Sequence, residues 1–448
     1  MNGLLGKQAI VVGAGIAGLT AAKALSTHFE KVSVLERDAL PAGPETRIGT
    51  PQSRQLHVLL KSGLDALVEF FPGFEAELEH AGAVPVRVGS EMLIESPGFD
   101  PFPQRDLGFD QLCMTRPLIE SVVRRFLQQQ ANITLQPSCR VTRLLAADDR
   151  TTVVGVRCEM LGGGSQEIAA DLVVDASSRG TLTLELLDQL GTPRPEEEEI
   201  GADIGYATGT FEIPQALSRD RLGVIHRPTA ESGRSAMISP IENNCWHVGL
   251  NAVHYEKPPE SLDDFKAFLK SLRTLTIYNA VKDAVLVGSI HRFRLPGSTR
   301  RRFEALANFP AGLLVIGDAI CRFNPAFGQG MSVAAMEARV LRRFLDARSV
   351  AAHSLDGLAP EFFTAIQDVL APPWSVAEND FMYPKTRGRR PEDFPQRMKF
   401  GAALQRLAAE DAGVHRILAE VNHLVTPPGA LRDPQIVKRV ATMMAASG

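Results

Sequence analysis

Three glycines near the start of the chain have the spacing of a phosphate-binding turn. The segment Gly13-Ala-Gly15-Ile16-Ala17-Gly18 follows a short β-branched run and opens a helical stretch. Gly13 permits the tight turn, Gly15 lets the backbone approach a pyrophosphate, and Gly18 lets the helix pack closely on the strand. The amides at the helix N-terminus then point at the phosphate charge. The pattern predicts a dinucleotide site, and we include Ile16 and Ala17 among its binding residues.

An acidic residue stands where such a site needs one. Glu36 ends the second β-branched run, 18 residues past Gly18, close to the spacing of about 20 expected for a carboxylate on the ribose hydroxyls. We also include its neighbour Arg37 in the predicted site. An acid here favours a plain ribose over a 2′-phosphate, but it does not separate NAD from FAD.

A second segment makes that distinction. A buried strand ends in Gly317-Asp318, and a glycine-rich turn then leads into a helix at Gly330. Asp318 can accept a hydrogen bond from a polyol chain, and the helix N-terminus can stabilise negative charge on the N1–C2=O edge of a reduced flavin. NAD has no ribityl chain, so the segment favours FAD. Its predicted binding residues are Gly317, Asp318, Pro325, Gly328, Gly330 and Met331.

The two segments, about 300 residues apart, resemble those of the FAD-dependent monooxygenases with the para-hydroxybenzoate hydroxylase fold (group A flavoprotein monooxygenases). The resemblance implies that Arg116, at a strand-to-helix turn, reaches FAD and that a backbone group of Val141 meets the adenine. The segment Pro51–Leu60, which reads PQSRQLHVLL, is similar to one found in the subgroup that contains the polyether epoxidases.

The resemblance implies a reaction in which reduced FAD and O2 form a flavin C4a-hydroperoxide. One oxygen atom passes to a lipophilic substrate of the secondary-metabolite type, by epoxidation or, slightly less favoured, aromatic hydroxylation. An oxidase, a desaturase or an alkene reductase without oxygen insertion stays open as an alternative. A non-catalytic flavin-binding protein is a remote one. The halogenase pattern WxWxIP is absent, because Trp246 and Trp374 are the only tryptophans.

No catalytic side chain is assigned with certainty. Arg47, Arg54 and His57 lie on a segment that in the family runs near the flavin, and we place Arg47 among the cofactor-binding residues. A phenol hydroxylase needs a base, for which Tyr206 or His247 could serve. An epoxidase needs none, since an alkene has no proton to remove.

The electron donor is expected to be NAD(P)H, which acts either directly or through a separate flavin reductase. Many related hydroxylases have an Asp-Gly pair that serves both FAD and the nicotinamide donor. Here the corresponding residues are Asp175-Ala176, followed by Arg179. Because Ala176 stands where the related hydroxylases have glycine, direct reduction by NAD(P)H and reduction through a separate reductase both stay open.

These residues require an α/β fold. We predict a Rossmann-like FAD-binding domain of the glutathione-reductase type, an inserted mixed β-sheet substrate domain and a C-terminal helical region. The helix after the second strand is expected over Leu56–Phe71. The predicted domains are 1–80, 109–185 and 301–350 for FAD, 81–108 and 186–300 for the substrate sheet, and 351–448 for the helical region. An apolar pocket on the sheet and a plain core of the sheet explain most of one set of residues equally well; these are Phe211, Ile213, Met237, Ile238 and Trp246.

Composition excludes several other classes. A net charge of −4 gives no support to nucleic-acid binding. Five scattered cysteines without a CxxC pair are typical of free thiols in a reducing cytoplasm. No metal-ligand spacing and no apolar run of about 18 residues is present. We therefore expect a cytoplasmic enzyme without metal or transmembrane segment, as a monomer or homodimer, with O2 and a small lipophilic molecule as its partners.

Overall fold

A computed structural model describes residues 3–214, 222–254, 256–351 and 354–445. The strands are β1 (Gly6–Val12), β2 (Phe29–Leu35), β3 (Val84–Arg87), β4 (Met92–Glu95), β5 (Asp110–Cys113), β6 (Ile133–Gln136), β7 (Cys139–Ala146), β8 (Val153–Met160), β9 (Ser165–Ala169), β10 (Leu172–Asp175), β11 (Glu197–Ile200), β12 (Ile204–Glu212), β13 (Gly223–His226), β14 (Ser235–Ile241), β15 (Cys245–Ala252), β16 (Leu286–Leu295), β17 (Ser298–Arg301), β18 (Leu313–Val315) and β19 (Cys321–Arg322).

The helices are α1 (Ile16–Leu25), α2 (Lys61–Phe70), α3 (Phe74–His80), α4 (Arg116–Gln128), α5 (Thr181–Leu190), α6 (Leu262–Lys270), α7 (Thr276–Val281), α8 (Gly330–Ala351), α9 (Leu358–Ala365), α10 (Gln367–Ala377), α11 (Phe394–Glu410), α12 (Ala412–Asn422) and α13 (Pro434–Ala445). Helix α2 begins at Lys61 and not at the predicted Leu56. The intervening residues are held outside a helix, because the amide of Leu56 donates to the hydroxyl of Thr208 and that of Leu60 to Ser332.

A five-stranded parallel sheet forms the first layer, in the order β18-β10-β1-β2-β6. Its strands are apolar runs because helices cover them; α1 and α8, for example, pack in the same core. The carboxyl ends of parallel strands share one edge of a sheet. Gly13, Glu36, Ala176 and Ile316 therefore follow β1, β2, β10 and β18 at that edge. This is the Rossmann-like arrangement that the sequence predicts.

A six-stranded sheet, in the order β16-β12-β15-β14-β13-β4, stands apart from the first. Side chains alternate across it, so its two faces carry different residues. The outer face packs on α6 and α7 in a core that includes Trp246, Val248 and Phe265. The inner face carries Tyr206 and Thr208 of β12 and His247 and Gly249 of β15. Thr208 is paired with Gly249, and Tyr206 and His247 each lie two residues away on their own strands, so all four share one side of the sheet.

Helices end the described chain. Helices α9 and α10 join the core of the parallel sheet, whereas α11 to α13 form a cluster of their own with Phe102. All five cysteines are free and buried, which confirms the prediction of a framework without disulfides. Within the described ranges, no helix combines the length and the apolar character needed to cross a membrane. The same ranges contain no group of three acidic, histidine or cysteine side chains placed to hold a metal.

Candidate functional site: a cradle for FAD

The first predicted segment forms a tight turn that has no room for side chains. Gly13 has φ +101°, a left-handed conformation that favours glycine. A Cβ at Gly18 would lie 1.9 Å from the carbonyl oxygen of Gly13. Gly15 is the N-cap of α1 and provides no capping side chain, so the first amides of the helix have no side-chain partner there. Ile16 and Ala17 are the first two residues of α1. This bare helix end fits a pyrophosphate.

Glu36 lies beside this turn, directly after β2. Its carboxylate accepts hydrogen bonds from the amide of Ala14 at 2.8 Å and from that of Asp38 at 3.0 Å. It also pairs with the guanidinium of Arg47 at 2.9 Å. The carboxylate is therefore fixed at the edge where a ribose would lie, and its two oxygens retain acceptor capacity.

A series of ion pairs with alternating charges continues from Glu36 behind the turn. Arg47 contacts Glu120 at 3.1 Å, and Glu120 contacts Arg116 at 2.9 Å. Burial alone would raise the pKa of Glu120, but Arg116 and Arg47 hold it below its ordinary value. Arg116, at the N-terminus of α4, lies next to Gly15: a Cβ on this glycine would be 3.8 Å from the Arg116 guanidinium. Arg116 is thus near the expected pyrophosphate, as the resemblance implies.

The other two residues predicted for this half of the site lie at its edges. Arg37 is exposed, and its guanidinium donates to the carbonyl of Gly49 at 3.3 Å. Val141 lies on β7 just before an irregularity in the pairing with β8. The start of β7 is tied to Glu36, because the amide of Cys139 donates to the Glu36 carbonyl. The strand that carries Val141 therefore begins beside Glu36.

The second segment meets the first across the parallel sheet. Gly317 has φ +72°, and a Cβ there would lie 2.7 Å from the methyl group of Ala17. Its amide donates to the buried carboxylate of Glu337 on α8 at 2.7 Å. Asp318 follows and lies beside Gly330, at the start of α8. Burial raises the pKa of Asp318, and the charges of Arg116 and Arg322 oppose that rise. We call the segments 13–18 and 317–318 together the cradle.

The turn between Asp318 and α8 is anchored by a buried polar network. Asn324 donates to the carboxylate of Asp380 at 2.8 Å, and its side-chain oxygen accepts hydrogen bonds from the amide of Ala326 at 2.9 Å and from the hydroxyl of Tyr206. Pro325 lies in this turn, and Met331 is buried in the first turn of α8. Tyr206, Asn324 and Asp380 come from β12, the turn and the C-terminal region, so three parts of the chain fix the turn.

The segment before α2 joins the inner face of the sheet to the cradle. Gln55 donates to the carbonyl of His291 and accepts from the hydroxyl of Thr208. A Cβ at Gly328 would lie 3.0 Å from Val58, which places the segment beside the turn that precedes α8. Pro51–Leu60 therefore lies between the sheet and the predicted flavin position.

Within this segment, the two candidate catalytic residues Arg54 and His57 differ in how far they are exposed to solvent. Arg54 is exposed, and its Nε donates to the hydroxyl of Thr46 at 3.3 Å. His57 is half-buried, with its Nδ1 2.9 Å from the carbonyl of Gln55. Burial, together with the charge of Arg116, lowers the pKa of His57 to about 3, so its imidazole is neutral at neutral pH.

The inner face carries a different set of side chains from the predicted pocket. The pocket prediction was wrong for four of the five residues, which pack on the outer face with α6 and α7; these are Phe211, Ile213, Ile238 and Trp246. Only Met237 lies on the inner side, opposite Gly249. The neighbours of Trp246 and Ile238 in sequence, His247 and Ser239, are the ones that point inward, because successive side chains alternate.

A cleft of about 330 Å³ opens on the other side of Asp318. Four arginines line it, together with the N-terminal turn of α5; these are Arg179, Arg194, Arg301 and Arg322. Arg194 and Arg301 pair with Asp188 and Glu197. The loop that replaces the Asp-Gly pair forms one wall, with the Ser178 hydroxyl 3.5 Å from Asp318.

A Rossmann-type phosphate-binding turn, a fixed carboxylate at the expected ribose edge and a strand-end aspartate are the features of an FAD-dependent oxidoreductase with the fold of the flavoprotein monooxygenases. The sequence matches the family described as "FAD binding domain" over residues 7–349. The chain belongs to this family.

The chain is also similar to other proteins and to solved structures. Protein Rv3254 of Mycobacterium tuberculosis is 33% identical over 396 residues, which cover 84% of this chain and 81% of the relative. Squalene monooxygenase 1,1 of Brassica napus is 23% identical over 341 residues, or 75% and 62% of the two chains. Among solved structures, the flavin-dependent brominase Bmp2 has a TM-score of 0.68 at 14% identity, with 98% of each chain covered. That likeness shows the fold alone.

Several residues at the site were absent from the sequence prediction. Glu120, Asn324, Glu337 and Asp380 make the buried contacts described above. The spacing i, i+4 between Arg116 and Glu120 is a detectable signal for an ion pair on one helix. Asp380 has no comparable signal, because 56 residues separate it from Asn324.

Proposed function

We propose that this protein inserts one atom of O2 into a lipophilic molecule of the secondary-metabolite type. The supporting observation is the arrangement of the inner face, which faces the cradle across the segment Pro51–Leu60. An apolar stretch that includes Ile94, Ile225 and Met237, in register on neighbouring strands, continues that face. A substrate placed there would lie between the sheet and the flavin.

FAD, when bound, would supply the oxygen chemistry. The chain's own residues bind, orient and exclude water. The cradle holds the pyrophosphate and the ribityl chain, and Glu36 holds the ribose. The first amides of α8 stabilise negative charge at the flavin ring, and the sheet covers the site from water.

Both epoxidation and hydroxylation are compatible with these residues, and the resemblance of Pro51–Leu60 to the segment of the polyether epoxidase subgroup favours epoxidation. Tyr206 is a poor base for the alternative, since its hydroxyl already donates to Asn324 and burial raises its pKa further. We assign it a positioning role for the turn before α8. Tyr206→Phe should weaken FAD binding a few-fold, measured by flavin fluorescence, and leave the pH profile of turnover unshifted. If Tyr206 were the catalytic base, the substitution would shift the pH profile of turnover.

The decisive experiment combines two measurements on the FAD-loaded protein. Chemically reduced protein is mixed with oxygenated buffer in a stopped-flow instrument, and product formed under ¹⁸O2 is analysed by mass spectrometry. A transient flavin–oxygen adduct and one ¹⁸O atom in the product support the proposal. Direct reoxidation and an unlabelled product would establish the oxidase, desaturase or reductase alternative instead. Purified protein that cannot take up FAD would overturn all of these.

We also propose that NAD(P)H donates electrons directly and that its phosphates occupy the arginine cleft beside Asp318. The cleft has room for a phosphorylated nucleoside fragment, and Arg179 lines it on the exposed loop after β10. Arg179→Gln should slow reduction of the flavin by NAD(P)H about tenfold, the effect of losing roughly 1.4 kcal/mol. Reduction by dithionite should be unchanged. Failure of NAD(P)H to reduce the wild-type flavin would favour a separate flavin reductase, and equal rates of NAD(P)H reduction in Arg179→Gln and the wild type would contradict the assignment of the cleft.

A further inference from the structure

His247 has an unusual position on the inner face. Its side chain is 7% exposed, yet the ring makes no hydrogen bond to any residue in the described part of the chain. Its cross-strand neighbours do not provide one: the Ser239 hydroxyl is directed to the carbonyl of Pro240 at 3.4 Å, and Thr210 lies opposite on β12 without a recorded bond to the ring.

Most buried polar groups in proteins have partners within the protein. The nitrogens of His247 are not among the fully enclosed, unpartnered atoms of the described chain, so part of their surface stays accessible and can receive a hydrogen bond from outside the chain. The outer face of the same strand shows the contrast, because the indole of Trp246 donates to the carbonyl of Leu222 at 3.1 Å. The missing partner of His247 therefore points to a ligand.

The groups around His247 keep it neutral. Burial, together with the charge of His291, lowers the pKa of His247 to about 4. His57 is close enough for a charge on His247 to lower its pKa as well. The carbonyl of Gln55 can only accept, so Nδ1 of His57 carries its proton and Nε2 is an acceptor. The two rings thus offer one donor and two acceptors.

We propose that His247 anchors a hydroxyl or carbonyl oxygen of the lipophilic substrate, with His57 as a second contact. The substrate is then a phenol, an alcohol or a ketone with a large apolar body, and not a plain hydrocarbon. This inference rests on the proposed role of the inner face as a substrate wall. It concerns how the substrate is recognised, so the ¹⁸O experiment and the binding experiment below can fail separately.

The test uses the oxidised, FAD-loaded protein and pairs of ligands that differ by one oxygen function, such as 1-naphthol with naphthalene and a hydroxysteroid with its deoxy counterpart. Binding is followed by the change in flavin absorbance. The wild-type protein should prefer the oxygenated member of at least one pair by about tenfold, the equivalent of one hydrogen bond of roughly 1.4 kcal/mol. His247→Phe should remove that preference and leave the affinity for the apolar member within about twofold.

Stability provides a second measurement that separates a ligand anchor from a structural residue. His247→Phe should unfold at the same or a higher urea concentration than the wild type, because the imidazole makes no hydrogen bond to the described chain that could be lost and the new ring is apolar. His80→Ala, at an exposed position on α3, is the matched control and should change neither measurement. The proposal is overturned if no pair shows a preference, if no ligand binds, or if His247→Phe keeps the preference.

Discussion

The cradle and the inner face of the six-stranded sheet differ in what specifies them. Main-chain geometry specifies most of the cradle: amides of the turn and helix are its anion-binding groups, and Gly13, Gly18 and Gly317 are required because there is no space for a Cβ. Side chains specify the inner face, where Tyr206 contacts Asn324, Thr208 contacts Gln55, and His247 is the proposed substrate contact. Substitutions in the cradle should therefore act through sterics, and substitutions on the sheet through the chemistry of the individual side chain.

The largest expected effect is in the cradle. Gly18→Ala places a methyl group 1.9 Å from the carbonyl of Gly13, so the turn must rearrange and the purified protein should contain no FAD. Gly15→Ala has ordinary space in the empty turn. It should fold with nearly wild-type stability and still bind FAD poorly, because the methyl group meets the pyrophosphate.

Flavin content and urea unfolding of the apoprotein measure these two effects. Gly401→Ala is the control: nothing lies within 4 Å of that position in α11, so it should bind FAD normally and gain roughly 0.5–1 kcal/mol. If Gly15→Ala retains full FAD affinity, the pyrophosphate does not lie on this turn.

The next effect concerns the charges behind the cradle. Glu120→Gln leaves Arg47 and Arg116 without their shared carboxylate and should cost about 3–5 kcal/mol of unfolding free energy. Glu77→Gln breaks an ion pair with Arg125 whose two members are each 40% exposed, and it should cost at most about 1 kcal/mol.

The pH dependence of that difference has a definite sign. The pKa of Glu120 lies below its ordinary value of 4.5 in the folded protein. Its stabilisation is therefore present above that pH and is lost as the pH falls through the folded pKa. Urea unfolding should show the gap between wild type and Glu120→Gln shrinking on acidification. A gap that widens instead would mean that Glu120 is protonated in the native state.

Two adjacent residues on β14 compare the two faces of the sheet directly. Ile238, on the outer face, is 1% exposed, and Ile238→Ala should cost about 2–5 kcal/mol. Met237 is half-buried on the inner face, so Met237→Ala should cost about 1 kcal/mol or less and change the affinity for lipophilic ligands. Urea unfolding and ligand titration of the FAD-loaded proteins measure both. Equal stability losses would contradict the assignment of the faces.

The same comparison explains what the sequence could predict. The cradle was predictable because Gly13, Gly18 and Gly317 are required by local geometry that only glycine satisfies. The orientation of the two faces of β14 and β15 could not be predicted. Alternation shows that Trp246 and His247 point to opposite sides of the sheet, but it does not show which side packs on α6 and α7. The start of α2 was misplaced for a related reason: tertiary hydrogen bonds hold Leu56–Leu60 outside the helix, although the apolar spacing favours one.

Asp380 links the two regions, and its substitution should have the smallest effect on FAD binding and the sharpest pH dependence of stability. Burial raises its pKa from 3.8 to about 7, while the amide of Asn324 opposes that rise. The folded protein thus holds a proton that the unfolded chain releases, so this group's contribution to stability falls as the pH rises from about 4 to about 7 and is constant above. Asp380→Asn, which keeps an acceptor for Asn324, should lack that fall.

Urea unfolding across this pH range should therefore show Asp380→Asn gaining on the wild type as the pH rises, with its FAD affinity changing little. Asp368→Asn, at an exposed position on α10, should run parallel to the wild type throughout. A pH-independent difference between Asp380→Asn and the wild type would mean that Asp380 is ionised in the folded state. Its charge would then be balanced by a group other than Asn324, and the turn before α8 would be held by an ion pair and not by the neutral network that joins it to Tyr206.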